Sequence, residues 1–217
     1  MTDPLLQARD LWLDYSGTRT VRALRGVDLR VEAGAFVGIM GPSGSGKSSL
    51  LYALAGLRRP SRGTVALQEL PWRFPIGLDA ARRRALLGFV FQEPFLIPHW
   101  TIAENIRVQQ TSSGRTRIDD LAAKLEISHV LGEFPDRVSA GERQRASVAR
   151  ALVNDPILVL ADEPTSCLDT ENGLNVMRVL REALGRAGLV VCSHDPRMIA
   201  SASRVWRMKD GTLSAAG

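Results

Sequence analysis

The apolar run "FVGIM" (36 to 40) ends at a glycine-rich stretch, "GPSGSGKSS" (41 to 49). That stretch leads straight into "SSLLYALAGL", where Leu50, Leu51, Leu54 and Leu57 recur at helical spacing. The order is strand, loop, helix, and it satisfies G-x-x-x-x-G-K-[ST] with Gly41, Gly46, Lys47 and Ser48 in the context that pattern needs. Across Gly41, Pro42, Ser43, Gly44, Ser45 and Gly46 the loop can wrap around phosphate oxygens, with backbone N–H donors from every residue but Pro42. Lys47 reaches the β and γ phosphates, and the hydroxyls of Ser48 and Ser49 stand at the helix start, where Ser48 can ligate Mg²⁺. At ordinary glycine usage the pattern arises by accident in about one chain of this length in a few hundred. A glycine-rich turn without a ligand is the poorer reading.

A second apolar strand, "ILVLADEP" (157 to 164), ends in two carboxylates. Asp162 is placed to hold magnesium through a water, and Glu163 to orient and deprotonate an attacking water. In an open parallel sheet the ligand lies beyond the carboxyl ends of the strands. Gln92 ends "LGFVFQ" and His194 ends "LVVCSH", so four elements converge on one edge. Taken singly, Gln92 reads as a loop cap and His194 as a satisfied histidine, the reading that also fits His99 and His129.

Alternating β and α units imply an α/β fold, with a parallel sheet covered by helices on both faces. The segments "LLQARDLWLDY" and "ALRGVDLRVEAG" show partial alternation and predict an N-terminal antiparallel β subdomain. Residues 93 to about 137 contain no convincing strand. They begin an inserted helical subdomain, about 93–150, with short helices around "TIAENIRV" and "RIDDLAAKLEI". The triplet Arg82 to Arg84 reads as part of a solvated helix. The tail "SRVWRMKDGTLSAAG" reads as a hairpin turning at "KDG".

With 217 residues, a single α/β domain over 1–217 is the expectation. No apolar run approaches the eighteen or so residues that cross a bilayer, and "MTDPLLQARD" lacks the blocks of a signal peptide. A cytoplasmic chain, or the cytoplasmic subunit of something larger, is expected. The net charge of +5 comes almost entirely from scattered arginines without aromatic interleaving, so no direct nucleic-acid partner is expected. Cys167 and Cys192 lack metal spacing and read as free thiols.

One polar stretch, "VSAGERQRA" (138 to 146), fits two roles. Ser139 and Glu142 make a capping box, and the helix they start presents partial positive charge and free donors to an anion. Nothing inside the stretch decides between them.

With these elements in order, the chain resembles the nucleotide-binding subunit of ABC transporters from Tyr15 to the final hairpin. "GPSGSGKSS" is similar to the family's Walker A motif, Gln92 to its Q-loop and "VSAGE" to its signature. "LVLADEP" is similar to its Walker B, "SCLD" to its D-loop and "SHD" to its switch histidine. The resemblance implies that Tyr15 stacks on adenine, that Gln92 joins Ser48 and Asp162 at Mg²⁺, and that Gln92 and His194 sense the γ-phosphate. It implies that Ser139, Ala140, Gly141 and Glu142, with Asp169 of the D-loop, face ATP bound to a second subunit. The partners implied are a second copy or a related ATPase subunit, and an integral membrane permease docked on "EPFLIPHWTIAENI" through Phe95 and Trp100. The chain would then sit on the inner face of the membrane. In texture it looks most like the ATPases of lipoprotein release, macrolide-type export and cell division. Ala140 and Cys167 depart from the family's usual residues. Rival readings are a soluble ABC-type ATPase on DNA or ribosomes, a P-loop kinase, and an ATPase driving a non-transport membrane complex.

Overall fold

The computed structural model describes residues 4–74, 80–111, 115–184 and 187–216, so Met1, Thr2 and Asp3 of the N-terminal stretch lie outside the described residues. Strands β1 (Leu6–Tyr15) and β2 (Val21–Val31) pair antiparallel, from Leu6 opposite Val31 to Tyr15 opposite Val21. Their alternation is only partial because Asp10, at φ 47°, interrupts the register between Ala8 and Leu11. Strands β4 (Arg62–Leu67) and β5 (Leu70–Pro71) extend the sheet in the order β2-β1-β4-β5. The antiparallel layer therefore also recruits chain from beyond the glycine-rich loop.

The second sheet holds β3 (Phe36–Met40), β6 (Leu87–Val90), β7 (Leu158–Asp162), β8 (Gly188–Cys192), β9 (Arg204–Lys209) and β10 (Thr212–Ala215). Its order is β10-β9-β3-β8-β7-β6, and every neighbouring pair is parallel except β9 with β10. Every residue of β7 and β8 is buried, as expected for strands covered on both faces. Side chains one residue apart go to opposite cores. Leu158 and Leu160 pack with Leu50, Leu51 and Leu54 of helix α1 (Lys47–Leu54), beneath the antiparallel sheet. Val159 and Ala161 pack with Val148 of α5 (Ala140–Leu152) and with Val176 and Leu180 of α6 (Thr170–Leu184). The C-terminal hairpin turns at Asp210 and Gly211, both at positive φ, as the "KDG" reading requires.

Helix α2 (Ala80–Leu86) lies on the surface, but Arg82 is not the free solvated charge its sequence predicts. Its guanidinium stacks on Trp72 at 4.8 Å and donates to the carbonyls of Leu67 and Leu70, closing the β4–β5 turn. A planar cation with an aromatic face and two carbonyls in reach gains more there than in water.

The helical insertion comprises α3 (Ile102–Arg107), α4 (Arg115–Lys124) and α5. Helix α3 starts with a capping box between Thr101 and Glu104, the device that also starts α5. Fully buried Asn105 ties down the approach to α3. Its amide donates to the carbonyls of Ile97, Trp100 and Thr101 at 3.1, 3.0 and 3.0 Å, and its oxygen accepts the Ile97 N–H at 2.6 Å. Just upstream, the Arg150 guanidinium donates to the carbonyls of Pro94 and Phe95, which holds Phe95 at φ 44°. Asn105→Ala takes the partner from the Ile97 N–H and the Trp100 carbonyl, while the Ile97 and Thr101 carbonyls keep the backbone N–H groups of Trp100 and residue 105, so stability should fall by about 2–3 kcal/mol and Tm by about 6–10 °C, read by calorimetry.

Candidate active site

The glycine-rich loop connects β3 to α1 and is squeezed from behind. A Cβ on Gly41 would sit 2.3 Å from the Met208 carbonyl, and one on Gly46, at φ 106°, would sit 2.5 Å from the Ala23 carbonyl. Gly44, at φ 77°, has open space around it and is glycine for its backbone conformation alone. The hairpin turn completes the support, with the Gly211 N–H donating to the Ser45 carbonyl at 3.0 Å and the Arg25 N–H to the Gly211 carbonyl at 2.9 Å. β2 and the C-terminal hairpin therefore fix the curvature of the loop. The local motif gives no sign of this, because the contacts join segments far apart in sequence.

Lys47, the first residue of α1, is buried. Its ammonium donates to the carbonyls of Gly41 at 2.7 Å and Pro42 at 3.2 Å, and stands 3.9 Å from the Glu163 carboxylate. Glu163 directly follows β7 and adopts φ 46°, a strained backbone for a glutamate. Its N–H donates to the Cys192 carbonyl at 2.9 Å, and its carbonyl accepts the Ser166 N–H at 3.1 Å, which holds the strain. The His194 N–H donates to Glu163 Oε2 at 3.3 Å, and His194 Nδ1 lies 2.9 Å from the same oxygen. The carboxylate is itself buried, whereas the His194 side chain is 71% exposed.

Asp162 ends β7 almost fully buried, and its Oδ1 has no hydrogen-bond partner. Burial pushes its carboxyl above the usual range, Ser48 pulls the other way through a hydrogen bond, and the nearby Glu163 charge adds to the rise. An orphaned buried carboxylate oxygen beside a serine hydroxyl forms a hard, all-oxygen donor set, which fits Mg²⁺. Among the described residues no group of three or more His, Cys, Asp or Glu side chains is placed to hold a metal. A cation at Asp162 therefore has to complete its shell with water and phosphate oxygens, as Mg²⁺ does.

These groups share one cavity of about 680 Å³. Tyr15, Ser43, Gly44, Gly46, Lys47, Ser48, Ser49, Gln92, Asp162, Glu163 and His194 line it, so the four elements expected to converge do so at the carboxyl ends of β3, β6, β7 and β8. Gln92 is exposed just past β6. Val21, Arg22, Ala23, Arg25, Asp210 and Gly211 complete the wall and were not singled out by sequence.

Ser139, Ala140, Gly141, Glu142 and Asp169 lie outside that cavity. Ser139 caps α5: its N–H and hydroxyl donate to Glu142 Oε2 at 2.8 and 2.6 Å, and its Oγ accepts the Glu142 N–H at 3.2 Å. The other carboxylate oxygen lies 2.9 Å from His129 Nε2, so His129 is a partnered histidine. The Ser139 side chain, then its backbone, hold the Glu142 carboxyl below the usual range. Ala140 is the first residue of α5 and is not at positive φ, so its methyl adds no backbone strain. A Cβ on Gly141 would meet Leu168 at 3.1 Å, which places "SCLD" against the start of α5. Asp169 accepts the Asn172 N–H at 2.9 Å in the first turn of α6, and Cys167 is exposed.

A profile described as ABC transporter matches residues 24–166. The chain belongs to that family of ATP-binding subunits. This ABC ATPase is 37% identical over 100% of both chains to the lipoprotein-releasing system ATP-binding protein LolD of Saccharophagus degradans. It is 40% identical, over 98% of its own length, to the macrolide export ATP-binding/permease protein MacB of Chlorobium luteolum, but spans only 33% of that relative. Its fold superposes on the dimeric ATP-binding cassette MJ0796, in a post-hydrolysis state bound to ADP and phosphate, with a TM-score of 0.88, 31% identity, and 98% and 99% of the two chains covered.

The raised Asp162 carboxyl has a measurable consequence. A carboxyl raised by folding favours the folded state fully below the ordinary range and loses that contribution as pH rises through the folded-state value. Above the ordinary carboxylate range the buried acid therefore costs stability. Asp162→Asn should raise Tm at neutral pH, with the gain shrinking toward acid pH. Calorimetry over a pH series reads the effect.

Proposed function

We propose that residues 1–217 act as one Mg²⁺-dependent ATPase domain that hydrolyses ATP between two copies, or between one copy and a related ATPase subunit, and drives an integral membrane partner. The supporting observation is the convergence of Lys47, Ser48, Gln92, Asp162, Glu163 and His194 on one cavity behind a glycine loop. Backbone N–H groups of the loop from Gly41 to Lys47, all but Pro42, and the Lys47 ammonium bind the phosphate chain, with Ser49 behind them. Ser48, Gln92 and Asp162 hold Mg²⁺, which when bound neutralises phosphate charge. Glu163 accepts a proton from the attacking water. His194 Nδ1–H holds that carboxylate in place, a division between base and orienting group that costs no reorganisation during reaction. Tyr15 carries the adenine.

Ser139, Ala140, Gly141 and Glu142 lie outside the cavity of their own chain, which supports a role toward ATP on the other subunit. The capping box and the anion site are then one device: Ser139 fixes the helix start and turns its hydroxyl to the γ-phosphate when the second copy brings it near. Asp169 shapes the neighbouring loop. Loss of the γ-phosphate removes the link between subunits, which converts hydrolysis into motion.

The membrane partner docks on the insertion. Phe95 and Trp100 are 62% and 39% exposed, so neither fills the core of the insertion, and Phe95 borders a groove lined by Leu57, Phe89, Phe91, Ile97 and Val108. No described helix is long and apolar enough to cross a membrane, which fits a peripheral position on the inner face. The full-length likeness to LolD supports work of the lipoprotein-release or export type, with substrate selection in the partner.

Glu163→Gln should keep ATP binding by equilibrium dialysis and lose about a hundredfold or more in phosphate release, the worth of a general base. Unchanged turnover would remove the glutamate from its role. Ala140→Gly should change turnover by no more than about fivefold, since it trades a helical alanine for glycine at a cost near 1 kcal/mol. A much larger gain would mean that the methyl obstructs the phosphate.

A further inference from the structure

Tyr15 is held by more than its strand. Its hydroxyl lies 3.2 Å from the Ser49 Oγ, in the first turn of α1, and the Arg58 guanidinium sits 4.8 Å from its ring centroid. Arg58 leaves the turn that ends the same helix, where the N–H groups of Leu57 and Arg58 both donate to the Tyr52 carbonyl and Gly56 takes φ 65°. The ring is thus gripped at its hydroxyl by the head of α1 and on its face by the turn beyond the tail. Tyr15 is part of the cavity wall, and Arg58 is not among the residues that line it.

We propose that Arg58 is a positioning residue for the nucleotide base: it backs the Tyr15 ring, fixes its orientation and strengthens its stacking on a purine. This rests on the reading of Tyr15 as the adenine platform. A cation on one face of an aromatic ring is attracted to its quadrupole and draws electron density toward itself. The opposite face becomes a better partner for an electron-rich purine. A ring already held on two sides also loses less freedom when the base arrives. Ser49 extends the effect, because one side chain touches both the platform and the start of the phosphate-binding helix.

The test compares a ligand with a base and one without. Calorimetric Kd values for ATP and for inorganic tripolyphosphate are measured on the intact chain and on Arg58→Ala, Arg58→Lys, Tyr15→Ala and the Tyr15→Ala/Arg58→Ala double variant. Arg58→Ala should weaken ATP about three- to tenfold, the range of a half-exposed cation–π contact, and leave tripolyphosphate unchanged. Arg58→Lys should restore most of the loss. In the Tyr15→Ala background, removing Arg58 should have no further effect. Equal losses for ATP and tripolyphosphate in Arg58→Ala, or none for either, overturn the role of Arg58 while Tyr15 stands. An unchanged ATP to tripolyphosphate ratio in Tyr15→Ala removes the adenine platform itself, and Arg58's role with it.

Discussion

A buried ammonium group organises this molecule. Lys47 has almost no contact with solvent, and a lone charge there would cost several kcal/mol. It is stabilised by two carbonyls of its own loop and by the Glu163 carboxylate, and each compensation draws in a different part of the fold. The loop carbonyls point inward only because Gly41 and Gly46 let the backbone curl against Met208 and Ala23. Glu163 is in reach only because its strained backbone is pinned to β8, and the same carboxylate then holds His194. The residues proposed as phosphate-binding charge, water-activating base and γ-phosphate sensor thus form a chain of direct contacts.

In the proposed function that chain is half of an active site. The other half is the start of α5, where Ser139 and Glu142 satisfy each other away from the cavity. A helix N-terminus with a reorientable hydroxyl at its tip is useful to an anion only if one is brought to it, and in the proposed function that anion lies on another chain. The short packing of Gly141 against Leu168 ties this half to the loop that leads into α6.

Sequence revealed what is local and missed what closes over distance. The strand, glycine loop and helix of 36 to 57 are contiguous, so periodicity and spacing suffice. The same holds for the fully apolar runs of β7 and β8 and for the Ser139 capping box. The Thr101 and Glu104 box carries the same local signal and was readable but unread. By contrast, the hairpin at Asp210 and Gly211 was legible as a turn but not as the support of the glycine loop. Arg58 behind Tyr15 and Arg82 on Trp72 were hidden for the same reason, since a cation–π contact leaves no spacing rule in the chain. β4 and β5 fell outside the expected N-terminal strands because they join the sheet from the far side of α1.

The central claim is that ATP completes its site with two chains. Sedimentation of Glu163→Gln with Mg²⁺ and either ATP or ADP tests it most directly. The account predicts a doubled mass with ATP, a single-chain mass with ADP, and loss of the ATP-dependent species when Ser139→Arg is added. The same mass with both nucleotides, or an ATP-dependent species indifferent to Ser139, would contradict it.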